Sequence, residues 1–324
     1  VTVFLIRRFM QSIVILVVIS VLVFLGIFAV GNPVDILISP NATQQERDQV
    51  IRSFGLDRPL WEQYLNFLIQ AFQGDLGRSY VFNEPALRLI LKRMPATIEL
   101  AAGAMIIAVL MGIPMGILAG WKPQSAVARC IMTSSILGFS LPTFWIGLML
   151  IMVFAVMLGW LPASGRGQTV NLLGMPVSFL TRDGLAHMLM PALNLALFKW
   201  SLTIRLTRAG VREVLLMDYI KFAYAKGLSG TRVLLVHVLK NTLIPIITVL
   251  GIELGNVIAF AVVTETIFAW PGMGKLLIDS IAVLDRPIIV AYLMIVVTMF
   301  IMINLIVDIL YSVLDPRIQL GGAS

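Results

Sequence analysis

Long apolar runs separated by short polar stretches set the pattern of this chain. Six runs, at approximately 9–30, 96–120, 130–158, 186–207, 233–263 and 288–312, are each near or above the ~20 residues a helix needs to cross a bilayer. The excess length of some allows tilt or extension beyond the hydrocarbon. The pattern predicts an all-α membrane protein with six transmembrane helices. Between the first two runs, Leu60, Tyr64, Phe67, Leu68, Ala71 and Phe72 recur on one helical face and predict an amphipathic helix outside the bilayer. A turn at Gly55 precedes it, and Gly74-Asp75 ends it. Residues 163–185, rich in Gly and Ser, predict a loop. Pro142 predicts a kink in the third run, and Trp160 in Gly159-Trp160-Leu161-Pro162 suits its outer interface. In the second run, Gly112-x-x-x-Gly116 is a small-residue pattern that lets helices approach closely.

Composition points the same way. The chain is 59% hydrophobic and 13% charged, with a mean hydropathy of +0.96, whereas an average soluble domain carries roughly 25% charged residues. A net charge of +7 suggests a nucleic-acid partner only if its distribution is ignored. About half of the 24 Lys and Arg fall on one side of a six-helix topology. They are Arg7 and Arg8, Lys122 and Arg129, the cations around the fourth connection, and Arg317. This bias predicts both termini in the cytoplasm. Arg88, Lys92 and Arg93 oppose it, but they lie in the external segment 31–95, near the length at which the rule ceases to apply. The first run lacks a small-residue cleavage site before Asn32-Pro33, so it reads as a retained helix, not a signal peptide. The single Cys130 excludes an intrachain disulfide.

The most polar interruption of the second half is Glu213 to Pro245. Arg205, Arg208 and Arg212 lead in, and Lys221, Lys226, Arg232 and Lys240 follow. Asp218 stands where an N-cap would accept the orphan amides of a short helix from Tyr219 to about Lys226. Gly227 supplies the left-handed residue that ends such a helix, and Ser229 or Thr231 is placed to cap the next. A membrane protein with a short, capped helix on one face offers a knob to a soluble partner.

This stretch resembles the conserved cytoplasmic EAA loop of ABC importer permeases, in particular the peptide and nickel permease family. Lys221-Phe222-Ala223 stands where the broader superfamily has Glu-Ala-Ala, and the motif's proline is displaced to Pro245. The resemblance continues through Gly55-Leu56-Asp57-x-Pro59-Leu60, Gly74-Asp75-Leu76-Gly77-x-Ser79, Val262 to Leu277 and Asn304 to Arg317. It covers nearly the whole chain, with 163–185 its least familiar part. It implies a type I ABC importer permease fold and a subunit that moves a peptide or similar small solute across the bacterial inner membrane. Nickel chelates, glutathione, opines and oligosaccharides are the alternative cargoes. The implied partners are a second homologous permease subunit, two ATP-binding subunits, an external solute-binding protein and the lipid bilayer, with no nucleic acid. Segment 31–95 is then a platform for the external protein. The coupling residues are Asp218, Tyr219, Lys221, Phe222, Ala223, Tyr224, Ala225, Lys226 and Gly227, which by the resemblance dock in a groove on the ATPase. No cofactor is expected in this chain, since ATP and Mg belong to the partner subunits. The implied layout is 1–95 for the first helix and external segment, 96–317 for the core with a coupling loop at 208–232, and 318–324 for a tail.

Lys199 in the fourth run and Glu253 in the fifth, which also holds Asn256, are charged where the family's usual pattern is uncharged. An ionisable group at mid-membrane costs on the order of +2.5–3.5 kcal/mol unless it faces a cavity or a partner. Two readings follow: a mutually satisfied pair that fixes one helix on the next, or a lining of the translocation cavity that meets charged ends of the substrate. Asn304 and Asp308, one turn apart, face the same way.

Catalytic motifs are absent from the sequence. Gly272-Met273-Gly274-Lys275 lacks the upstream Gly of a phosphate loop and has Leu276 where Ser or Thr would hold magnesium. The two histidines, His187 and His237, have no Cys or Glu at metal-ligand spacing. The chain has no Gly-x-Ser-x-Gly elbow. It is expected not to be an enzyme, with ATP hydrolysis left to partners. A gradient-driven carrier is the rival reading, but it usually carries an internal repeat, and the two halves show none.

Overall fold

The computed structural model describes residues 2–29, 43–53 and 57–314. The expected turn at Gly55, the Asn32-Pro33 boundary, Arg317 and the tail 318–324 lie outside the described residues. Helices cover each of the six apolar runs. They are α1 (Thr2–Ala29), α4 (Ala86–Trp121), the pair α5 (Ala126–Ser140) and α6 (Thr143–Leu150), α7 (Arg182–Leu215), α9 (Leu239–Ile267) and α11 (Arg286–Leu314). Shorter helices lie between them: α2 (Gln44–Ser53), α3 (Leu60–Phe72), α8 (Asp218–Ala225) and α10 (Met273–Ala282). α6 continues as a π-helical stretch, Ile151–Met157, and a second one, Val233–Val238, leads into α9.

Among the described residues four helices are long and apolar enough to cross a membrane alone, at Ile6–Gly26, Ala86–Trp121, Pro245–Ile267 and Arg286–Ile309. α5 and α6 make a fifth span only as a broken pair, bent by 105°. The proline break is therefore far larger than a kink. Pro142 drives the preceding residue out of the helical region, and Leu141 is extended at φ −85°, ψ 139°. α7 is the sixth expected span, but His187, Asn194 and Lys199 interrupt its apolar run.

α7 is the central helix, and its tightest neighbour is α4. Gly112, Gly116 and Gly120, spaced four residues apart, form a ladder facing Thr203, Thr207 and Val211. A Cβ on Gly112 would stand 2.7 Å from the Thr203 Cβ, and one on Gly120 2.8 Å from the Val211 Cβ. No side chain fits at that separation, so this small-residue pattern does bring two helices into backbone contact. A second ladder, unremarked in the sequence, has Gly255 against Phe300 and Gly251 against Val307, packing α9 antiparallel on α11.

α4 begins at Ala86, ten residues before the apolar run, so Arg88, Lys92 and Arg93 belong to its first turns. α3 packs on α1 through Tyr64 and Phe67, whose rings meet Phe24 at 5.4 and 6.0 Å, while the Tyr64 and Ser20 hydroxyls are 2.8 Å apart. Phe72 does not share this face and is 90% exposed. At 3.6 residues per turn Phe72 has drifted about 120° from Leu60, so the two cannot lie on one stripe.

Segment 163–185 is not wholly loop. It holds a hairpin of β1 (Val170–Leu172) and β2 (Met175–Val177), in which Val170 pairs with Val177 and Leu172 with Met175. The turn residues Leu173 and Gly174 both have positive φ, 50° and 84°, as a two-residue turn of the primed kind requires. Leu is a poor signal for that conformation, and three-residue strands carry too little alternation to be read.

Candidate functional site

The short helix α8 is fixed at both ends. Met217, not Asp218, is its N-cap, and no side chain caps it. Asp218 is instead the first helical residue and accepts a hydrogen bond from Lys221 Nζ at 2.8 Å. Acidic residues favour both the cap and the first turn, where they complement the helix dipole, so the sequence alone does not separate the two. That hydrogen bond and the charge of Lys221 hold the Asp218 carboxyl below its ordinary value. At the other end Gly227 has φ +77°. Its amide donates to Tyr224 O at 2.9 Å, and the Leu228 amide donates to Ala223 O at 3.3 Å. These are the two bonds of a Schellman cap. Ser229 occupies the N-cap position of the next turn, Gly230–Arg232, without a side-chain hydrogen bond.

The two faces of α8 differ. Ile220 and Ala223 are buried against Val211 and Val214 of α7 and Val233, Leu234 and Val238 of the second π-helical stretch, with Trp121 at the edge. Tyr219, Phe222 and Tyr224 are exposed, Phe222 by 61%, beside Leu216 at 75%. Lys226 Nζ lies 4.6 Å from the Phe222 ring centre, and Asn241 donates to the Tyr219 hydroxyl at 2.9 Å. Lys221 and Ala225 complete the outward surface. An apolar knob ringed by cations is thus held on a rigid base that touches two long helices.

Within the bundle, Lys199 Nζ donates to Glu253 Oε2, pairing α7 with α9. Asn256 Nδ2 donates to Glu253 Oε1 at 3.2 Å, so both carboxylate oxygens are engaged. Lys199 also lies 5.0 Å from the Phe198 ring centre, Phe198 stacks on Phe139 at 4.5 Å, and Arg205 covers Phe139 at 4.4 Å. The two mid-helix charges therefore have each other as partners.

A third cluster closes the opposite end, and its partnerships were not foreseen from the sequence. Glu265 is fully buried; it accepts from Thr97 Oγ1 at 2.6 Å and from the Lys275 amide at 3.0 Å. Thr97 Oγ1 accepts in turn from the Met273 amide at 2.8 Å. Trp270 Nε1 donates to Ala96 O at 2.9 Å, and Asn194 Nδ2 to Thr264 Oγ1 at 3.0 Å. Glu99 is nearby in sequence and binds Arg166 at 2.5 Å, the Ser178 hydroxyl at 2.8 Å and the amides of Ser178 and Phe179 at 2.6 and 2.8 Å. This carboxylate holds the hairpin onto α4. The available signal was the pair of lone carboxylates, Glu99 and Glu265, at the ends of apolar runs. At the far end Arg8 Nε meets Asp308 Oδ2 at 2.9 Å, tying the start of α1 to the end of α11.

Residues 112–320 match the family described as binding-protein-dependent transport system inner membrane component, and residues 1–101 match its N-terminal counterpart. The chain is 40% identical over 318 residues to the oligopeptide transport system permease protein AppB of Bacillus subtilis (strain 168), covering 98% of this chain and 99% of the relative. It is 39% identical over 302 residues to the di/tripeptide transport system permease protein DppB of Pseudomonas aeruginosa (strain UCBPP-PA14), covering 89% and 90%. Among solved structures, its fold is similar to that of the MetNI methionine ABC transporter in an inward-facing conformation. That match has a TM-score of 0.54 at 14% identity and covers 71% of this chain and 97% of the other.

Proposed function

The chain belongs to the family of binding-protein-dependent transport system inner membrane components and is a multi-pass permease subunit of an ABC importer; from that premise we propose that it forms half of a translocation path for peptides. The other half is a second, similar permease, and two ATP-binding subunits drive the pair. The names of the relatives support peptides over nickel chelates, opines or oligosaccharides. Identification of the ligand retained by the cognate solute-binding protein, purified from cells, tests the cargo. Short peptides are expected, and a glutathione, chelate or sugar ligand would replace that assignment.

The observation that carries the coupling role is the two-faced build of α8. Its exposed Phe222 and Tyr224 are suited to a groove on an ATPase, while Ile220 and Ala223 pass any displacement to α7 and to the π-helical stretch that leads into α9. Gly227→Val forces a β-branched residue into the left-handed region, at a cost of about 1–2 kcal/mol, with no neighbour within 4 Å to add a steric effect. ATP-driven uptake into vesicles should fall several-fold while ligand binding by the external protein is unchanged. An assembled mutant that couples hydrolysis to uptake as the wild type does would remove α8 from this role.

In the proposed topology all six apolar runs cross the bilayer and both termini and α8 face the cytoplasm. α7 crosses despite its polar residues because Lys199 and Asn194 find partners on α9. Cysteines introduced singly at 50, 170 and 222 in a Cys130→Ser background check this with an impermeant thiol reagent on intact cells. Labelling is expected at 50 and 170 and not at 222, and the reverse pattern would invert the orientation.

A further inference from the structure

Among the described residues, one buried cation has no ion-pair partner. Arg286, the first residue of α11, is only 4% exposed, and all three of its guanidinium nitrogens are buried with no hydrogen-bond partner. Its sequence neighbour Asp285 does not serve it. That carboxylate accepts from the Ser79 hydroxyl and from the Tyr80 amide at 3.1 Å. The Tyr80 phenol is near enough to feel the Arg286 charge, but burial pushes it above its ordinary value, so it stays neutral at physiological pH. A buried arginine with five unused donors is an incomplete site.

Arg286 also lines a cavity of about 340 Å³ between α1 and α11, together with Leu22, Val23, Gly26, Ile289, Val290 and Leu293. Apart from Arg286 its walls are apolar. Of the four helices long and apolar enough to cross alone, α1 and α11 have the least of their apolar window covered by the rest of the protein, 17% and 22%. The slot is thus reached from the lipid side. Arg286 also opens the apolar span Arg286–Ile309, which puts it at headgroup depth, and the unpaired amides of the first turn of α11 add positive potential there.

We propose that this slot takes one acyl chain of an anionic phospholipid whose phosphate is bound by the Arg286 guanidinium. A phosphate accepts two parallel N–H donors from arginine, and a hydrocarbon tail is the complement of an aliphatic slot that faces lipid. The proposal requires only that α1 and α11 lie in a bilayer, and it is independent of cargo and of the coupling role of α8.

The test is native mass spectrometry and thermal unfolding of the purified importer complex in detergent doped with phosphatidylglycerol or phosphatidylcholine. Wild type should retain phosphatidylglycerol in preference to phosphatidylcholine and gain thermal stability from it. Arg286→Met should retain at least about tenfold less, the worth of one charge-assisted hydrogen bond, and Arg286→Lys should recover part of the difference. Leu293→Trp, which fills the slot and leaves the guanidinium in place, should also lose the lipid, so the proposal does not rest on a variant that simply misfolds. Equal retention by Arg286→Met or by Leu293→Trp would overturn it, as would equal retention of the zwitterionic lipid. Displacement of the lipid by inorganic phosphate at matched concentration would reassign the site to a free anion. A cysteine at 293 that cross-links to the second permease subunit would reassign the slot to a protein partner.

Discussion

Lys199→Met should lower the stability of the folded permease by about 3–5 kcal/mol, because it strands the Glu253 carboxylate inside the bundle. Glu253→Gln should do the same to the Lys199 ammonium. The double variant should recover most of the loss, since a buried ion pair replaced as a whole is often close to neutral. The geometry supports this reading over a cavity lined by free charges. Lys199 Nζ donates to one carboxylate oxygen and Asn256 engages the other. Both charged side chains are largely buried, 12% and 17% exposed. Thermal unfolding of the four complexes in one detergent gives the coupling energy. Additive single effects would sever the pair. Normal folding of Glu253→Gln, with loss of uptake confined to cationic substrates, would assign the carboxylate to the transport path.

Glu265→Ala should be nearly as damaging. Its carboxylate is the acceptor for Thr97 Oγ1 and the Lys275 amide, and it fills the space against Gly272 and Gly274. Each buried donor left without a partner costs about 1–3 kcal/mol, and the vacated volume adds a cavity cost, so a total above about 3 kcal/mol is expected. The loss should be local to the packing of α10 against α4 and α9. Hydrogen exchange should therefore report early opening of Met273–Ala282. Thr97→Val, which removes the hydroxyl between the Glu265 carboxylate and the Met273 amide, should cost less. A melting temperature for Glu265→Ala equal to that of wild type would show that this network does not hold the end of the bundle together.

The apolar pattern was enough to locate a helix at each of six runs, because the absence of hydrogen-bonding solvent in a bilayer leaves a continuous helix as the simplest spanning form. It also located the short helix after Leu216 and the glycine that ends it, since only a residue without a Cβ takes φ +77° at little cost. Local chemistry did not determine which residue capped that helix: Asp218 suits two adjacent positions, and Met217 took the first. Nor did it give the size of the break at Pro142. A proline dictates where a helix loses its hydrogen bond, whereas the 105° bend is set by what the two halves pack against.

Partnerships between distant groups were decided by the tertiary structure. Thr97 and Glu265 are 168 residues apart, Ser79 and Asp285 206, and Arg8 and Asp308 300. Hydrophobic periodicity marks which face of a helix is apolar, but it leaves free the rotation and depth at which that face meets its neighbour. The Gly112, Gly116 and Gly120 ladder settles both for α4 and α7, since only one register seats Thr203, Thr207 and Val211 in the gaps. Once those backbones are in contact, the buried carboxylates have fixed positions, and the donors that reach them follow from geometry. The sequence therefore determined the helical runs and the short helix with its glycine stop, and close packing determined which charges met and that, among the described residues, Arg286 was left without one.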